Sequence, residues 1–289
     1  MWMRVLGSAA GGGSPQWNCG CPVCTAVRAG AAPPRTQSSI AVSVDRRRWF
    51  LFNASPDVRT QLEAFSGLHP RGDRVTPLSA VLLTDAELDH TLGLLLLREA
   101  RDLRLYATPA VHTTLSDGSG LLPLLERYCR VEWRPVTPGG DVPLADGLSC
   151  RAFDVPTTKP DRFATGENHG RVVGYRLTDE HTGGTLGYLP CVQALTPAVR
   201  AEIEGCDCLL IDGTCWRDDE LGPTARTSRE MGHLPVASSL LEIQALRVRR
   251  TIFVHINNTN PILLDDTPER RLVEDRGMEV AMDGLEVKL

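Results

Sequence analysis

The chain has 289 residues, enough for one large domain or two small ones. Its 42% hydrophobic and 23% charged residues are ordinary for a globular protein and allow a sizeable core. A formal charge of −5 argues against a general nucleic-acid binder, which needs a basic surface to displace counterions. The opening residues Met1 to Gly7 lack a basic segment followed by a long apolar stretch, so no secretory signal is expected. The longest apolar run, Leu92 to Leu97 around Gly93, is too short to cross a bilayer. Nine cysteines without an export signal point to reduced thiols or metal ligands, and so to the cytoplasm.

In chain order, Met3 to Ser8 reads as a short strand, followed by a long loop rich in Gly, Pro and Cys. Ser39 to Val44 and Trp49 to Asn53 form a hairpin around Asp45 and the basic run Arg46-Arg47-Arg48, a solvated turn. Pro56-Asp57-Val58 starts a helix with Val58, Leu62 and Phe65 on one face. Val81 to Thr84 is a buried strand, then comes a loop and a helix through Leu94 to Leu97. Leu103 to Ala107 is a strand and Leu121 to Tyr128 a helix. In the second half, Arg151 to Val155, Val172 to Leu177, Thr185 to Leu189, Cys208 to Ile211 and Thr251 to Val254 are strand candidates. Pro197 to Ile203 and Val236 to Leu246 are helix candidates. Neither a tandem repeat nor a long linker divides the chain. The expectation is a single layered α/β domain over 1–289, with strands in two stacked sheets.

Four segments carry chemistry. Cys19, Cys21 and Cys24 lie in a Gly/Pro-rich loop of a Cys-rich region at about 9–38, and three thiolates so spaced can converge on one tetrahedral zinc. A fourth ligand must then come from elsewhere. Thr84 to His90 follows a buried strand, where open α/β sheets commonly build sites. A helix N-terminus alone would account for Asp85 and Glu87, but less well for Asp89-His90. The runs ending in Asp212 and in His255 each place one candidate ligand at the end of an apolar strand. The remaining cysteines, Cys129, Cys150, Cys191, Cys206, Cys208 and Cys215, have no ligand spacing and read as buried small hydrophobes.

These segments resemble the pyrroloquinoline quinone (PQQ) biosynthesis protein B family, of the metallo-β-lactamase superfamily. The resemblance rests on Gly7 to Gly13 with Pro15 to Cys19, Asn53 to Asp57, Asp85 to His90, Asp212 to Thr214, Met231 to His233 and His255 to Pro261. It spans residues 4 to about 264. It implies a four-layer αββα sandwich with a site at one edge of the facing sheets. The superfamily's usual His-x-His-x-Asp-His motif stands here as Asp85, Glu87, Asp89 and His90, and the next usual histidine is missing from Val155 to Lys159. The first metal position of a hydrolytic pair is therefore expected to be dismantled. The second keeps Asp89, His90, Asp212 and His255, a set that suits a non-haem iron(II) centre.

The resemblance further implies iron-dependent oxygenation of the tyrosine ring in a small Glu-Tyr-derived precursor, with other PQQ-pathway proteins as candidate partners and a homodimer left open. Asp85 and Glu87 would orient ligands or accept protons. His233 would contact substrate carboxylates or stabilise its own loop. In a related branch, the phosphodiesterases of phosphonate breakdown, a histidine at the position of Asn258 joins the three loop cysteines, so Asn258 is a candidate fourth zinc-site ligand. A carrier of PQQ or its precursor, and a metal-dependent hydrolase of the same fold, are the alternatives.

Overall fold

The computed structural model describes residues 1–145, 147–163, 166 and 169–289. In the first half β1 (Trp2–Gly7), α1 (Pro22–Arg28), β2 (Ser39–Ser43), β3 (Trp49–Phe52), α2 (Val58–Glu63), β4 (Leu78–Leu82), α3 (Leu88–Thr91) and β5 (Asp102–Ala107) follow one another. They lead through α4 (Pro109–Thr113), α5 (Leu121–Leu125) and β6 (Arg130–Pro135) into the second half. There β7 (Asp141–Ala145), β8 (Leu148–Asp154), β9 (Val173–Asp179), β10 (Thr185–Leu189), α6 (Pro197–Ile203) and β11 (Cys208–Asp212) succeed each other. The chain finishes with α7 (Val236–Gln244), β12 (Arg250–Val254), α8 (Pro268–Asp275), β13 (Met278–Val280) and β14 (Glu286–Lys288).

Two seven-stranded sheets result among the described residues, ordered β14-β1-β2-β3-β4-β5-β6 and β13-β12-β11-β10-β9-β8-β7. One core, with Phe50, Phe52, Tyr175 and Tyr188, lies between them. A second packs α6, α7 and α8 onto the outer face of the β7–β13 sheet, and a third packs α2, α4 and α5 onto the other. This is the expected αββα order. Strands β2, β3 and β11 are buried at every position, which is why they read as unbroken apolar runs rather than alternating ones.

In each sheet the antiparallel strands give way to parallel ones: β3 to β6 in the first, β10 to β13 in the second. Parallel neighbours need crossover connections, and the helices supply them. Thr108, Thr196 and Thr267 each start a helix in the same way, the hydroxyl accepting from the amide three residues on and a proline following directly. The parallel strands therefore all end at one edge. Among the described residues no helix is long and apolar enough to cross a membrane.

The hairpin of β2 and β3 forms as expected, with Asp45 closing its turn. The Asp45 carboxylate accepts from the Arg47 and Arg48 amides at 2.7 and 2.8 Å. The expected helix through Leu94 to Leu97 is instead a 3₁₀ run over Leu92–Leu97. The reason is that the Gly93 amide donates to the Ala54 carbonyl at 3.0 Å rather than back along its own segment. The Ala54 amide in turn donates to the His90 carbonyl at 2.7 Å, so the turn is clamped from outside. A Cβ on Gly93 would stand 2.1 Å from the Ser55 carbonyl oxygen.

Two predictions follow from these contacts. Gly93→Ala should destabilise the protein by about 1–3 kcal/mol by forcing the clamp open; a melting temperature equal to wild type would show that the turn yields freely. For Asp45, partial burial raises the carboxyl, but the Arg48 and Arg47 amides outweigh it and hold the pKa at about 2. Because the folded value is depressed, the stabilisation is complete above the unfolded value of about 4 and fades as pH falls through about 2. Asp45→Ala should accordingly lose about 1 kcal/mol at neutral pH, with the deficit closing in acid; denaturant titrations at pH 7 and near pH 2.5 measure the difference.

Candidate metal centre

The parallel edge gathers the candidate residues. Asp85, Asp89 and His90 follow β4 and lie on or before α3; Asp212 ends β11; His255 directly follows β12. His255 has φ 54°, a left-handed conformation uncommon for a residue with a side chain, at the point where its ring turns into the site.

His90 is fully buried, and its Nδ1 lies 2.9 and 2.8 Å from the two Asp85 carboxylate oxygens. A carboxylate only accepts, so Nδ1 carries the proton. Nε2 is buried and meets no hydrogen-bond partner among the described residues. Behind Asp85, the Asn53 amide donates to Thr84 Oγ1 at 2.9 Å and Thr84 Oγ1 lies 2.9 Å from Asp85 Oδ2. This line of contacts from Asn53 to His90 fixes the ring's orientation.

His255 is held in a similar way. Its Nδ1 lies 2.8 Å from the Thr214 hydroxyl, which is 2.7 Å from Asp212 Oδ1. Its Nε2 faces Asp89 Oδ2 at 3.1 Å. Asp212 accepts from the Thr214 amide through Oδ1 and from the Val192 amide through Oδ2, both at 2.9 Å. His233 Nδ1 stands 2.7 Å from the same Oδ2. Asp212 thus organises His233 and Thr214 as much as it faces a ligand position. Glu87 points away: its carboxylate pairs with Lys159 Nζ at 2.8 Å and with Arg162 at 3.7 Å.

Electrostatics agree with this geometry. Burial alone would lower the His90 imidazole, but the Asp85 and Asp89 carboxylates lift its pKa to about 9. Burial would raise Asp89, yet His90 and His255 hold it far below the usual carboxylate range. Burial lowers His255, against the pull of Asp89. An anionic pocket that favours a proton on a buried imidazole equally favours a cation on its lone pair. The unpartnered His90 Nε2, His255 Nε2 and Asp89 fit a divalent ion.

Sequence reasoning gave no role to Lys159 and Arg162 on the cavity wall, or to Cys191. Cys191, expected only as a buried small hydrophobe, lies with His90 and His255 so that their ligand atoms are within 4.8 Å of one another. It stands two residues beyond the end of β10, whereas His255 directly follows β12, and no ligand spacing along the chain marks it. The other five unpatterned cysteines are buried, as expected. Gly11 walls the site: a Cβ there would stand 3.2 Å from Asp89 Oδ2. Over the centre lies a cavity of about 550 Å³, adjoined by one of about 360 Å³. Both are lined by Asp89, Lys159, Arg162, Cys191 and His233.

The cysteine loop forms a separate cluster. Sulfur atoms of Cys19, Cys21 and Cys24 lie within 4.8 Å of one another, a donor set that fits a tetrahedral zinc. The Asn258 side-chain N–H donates to Cys24 Sγ at 3.3 Å, and the Cys21 thiol lies 3.2 Å from the Asn258 backbone carbonyl. Asn258 thus lies against the cluster as a hydrogen-bond donor to sulfur, and the fourth zinc-site ligand stays open. Burial raises the Cys21 thiol to about 11. The Cys21 amide holds Cys19 below its ordinary value.

Residues 48–256 match the model of the beta-lactamase superfamily domain. Coenzyme PQQ synthesis protein B of Methylococcus capsulatus is 45% identical over 306 residues, which cover 100% of both chains. The chain belongs to the coenzyme PQQ synthesis protein B (PqqB) family. A crystal structure of Zn(2+)-bound PqqB from Methylobacterium extorquens matches with a TM-score of 0.91 at 40% identity, covering 100% of each chain. A diphosphatase from the PhnP family shares the fold, with a TM-score of 0.72 at 22% identity over 100% of this chain and 97% of that one. The PqqB relationship spans the cysteine loop and the buried centre alike.

If the loop is a zinc site, Cys21→Ala should remove one equivalent of bound zinc and lower thermal stability while the histidine centre persists. Metal analysis alongside calorimetry tests this; unchanged zinc content would exclude Cys21 as a ligand.

Proposed function

We propose that this protein carries out a metal-dependent step of PQQ biosynthesis: oxygenation of the tyrosine ring in a Glu-Tyr-derived precursor, with Fe(II) held by His90, His255 and a carboxylate. The PqqB relatives support the pathway. The observation that carries the reaction class is the pairing of two buried, pre-oriented imidazoles with Asp89 beneath an open cavity. When bound, a ferrous ion in such a two-histidine, one-carboxylate site with open positions supplies oxygen activation.

The chain's own groups supply the rest. Asp85 holds the His90 tautomer through Nδ1, and Thr214 holds His255, so neither ring pays a reorientation penalty when a ligand arrives. Lys159 and Arg162 on the cavity wall suit the carboxylates of a Glu-Tyr substrate. Burial would lower the Lys159 ammonium, but Glu87 keeps it charged by raising its pKa. His233, fixed by Asp212, presents its ring to the cavity and is assigned to substrate contact. Asp85 and Glu87 serve as orienting groups, Asp85 for His90 and Glu87 for Lys159. We treat residues 1–289 as one domain, a reading supported by the pairing of β14 with β1.

Anaerobic reconstitution with Fe(II), followed by oxygen, a reductant and a synthetic cross-linked Glu-Tyr substrate, tests the reaction by mass spectrometry. Product heavier by one or two oxygen atoms should form only with iron, and His90→Ala should reduce it to background while folding normally. Tight binding of finished PQQ without turnover would favour a carrier, and cleavage of the substrate a hydrolase.

A further inference from the structure

We propose that the Cys191 thiolate is a protein ligand of the metal held by His90 and His255, giving the pocket a sulfur donor beside its two imidazoles. The inference rests on the metal-centre reading above and deepens it. Three features of the structure carry it.

The first is proximity. Ligand atoms of His90, Cys191 and His255 lie within 4.8 Å of one another, a spread that bonds of about 2.0–2.3 Å to a shared ion close with small side-chain movements. The second is the unsatisfied nitrogen. His90 Nε2 is buried without a hydrogen-bond partner among the described residues, on a ring whose other nitrogen is already committed to Asp85. The third is how Cys191 is presented. Pro190 restricts the backbone just before it, and the Val192 amide just after it donates to Asp212 Oδ2 at 2.9 Å. The peptide following Cys191 is thereby pinned to the group that organises the site, and the thiol lines both cavities.

Asp212 is the competing donor, but both of its oxygens already accept from the protein: Oδ1 from Thr214, Oδ2 from Val192 and His233. Among the described residues no hydrogen bond commits the Cys191 thiol, and on coordination its proton leaves to solvent. A sulfur donor shifts preference toward zinc and iron(II) and away from magnesium, calcium or manganese.

Cobalt(II) reports the donor set independently of turnover. Full-length protein with zinc in the Cys19-Cys21-Cys24 loop is titrated with Co(II) and followed by absorption. A d–d band that disappears in His90→Ala identifies binding at this pocket. Wild type should add a near-ultraviolet thiolate-to-cobalt charge-transfer band. Cys191→Ser should lose that band, keep its loop zinc and circular dichroism, and bind cobalt about tenfold more weakly or worse. Cys191→Asp, which restores an oxygen donor, should retain the d–d band without the charge-transfer band. A charge-transfer band undiminished in both variants overturns the assignment of Cys191 and leaves the metal pocket standing. Absence of any His90-dependent band overturns the metal reading itself, and the sulfur ligand with it.

Discussion

Buried negative charge is the constraint around which this edge of the sandwich is organised. Asp85 and Asp212 are withdrawn from water, and Asp89 joins them at the cavity wall. Taking a carboxylate out of water costs several kcal/mol even after relaxation unless it is paired and hydrogen-bonded. The fold meets the requirement with imidazoles: His90 against Asp85, His233 against Asp212, His255 against Asp89. Each pairing also fixes a ring, so hydrogen bonding of the buried carboxylates and orientation of the imidazoles are one set of contacts.

The two clusters share a stretch of backbone. His255 faces the buried centre, and Asn258, three residues later, faces the cysteine loop. The chain between them is tied to the residues that lead into that loop. The Ile256 amide donates to the Ser8 carbonyl and the Ala10 amide to the Ile256 carbonyl, at 3.0 and 2.9 Å. Asn260 then anchors the far side by donating to the Gly213 carbonyl at 2.8 Å. A metal ordering the cysteine loop would therefore also steady the segment that carries His255. This gives the Asn-Asn-Thr-Asn block a mechanical role beyond any single contact.

Sequence revealed much of this, unevenly. Strands β2, β3, β4, β11 and β12 were legible because burial on both faces leaves continuous apolar runs, and those runs point at Asp85, Asp212 and His255. Edge strands β6 and β14 were not, since exposure breaks the apolar pattern, and the three-residue β13 is too short to show one. Helices α4 and α8 went unread although Thr108-Pro109 and Thr267-Pro268 carry the same start signal as the recognised Thr196-Pro197. The Leu92 to Leu97 run misled because helical composition was overruled by hydrogen bonds to Ala54, a partner distant in sequence. Cys191 escaped for a related reason: ligand spacing along the chain cannot show that β10 lies next to β11 and brings the residues just beyond its end to the site.

The acidic replacements in the metal motif now have a physical reading. A second metal beside the first would need donors free to face it. Asp85 is engaged with His90 and Thr84, and Glu87 is engaged with Lys159 and Arg162. One replacement has become the brace of a remaining histidine, and the other holds a lysine at the cavity wall. Positive charge on that side is thus supplied by fixed side chains rather than by an ion. Such an arrangement suits the proposed single-metal site with an anionic substrate better than activation of water between two ions. The same exchange would explain why the chain keeps two oriented imidazoles deep in the fold while the shell around them departs so far from a hydrolytic pattern.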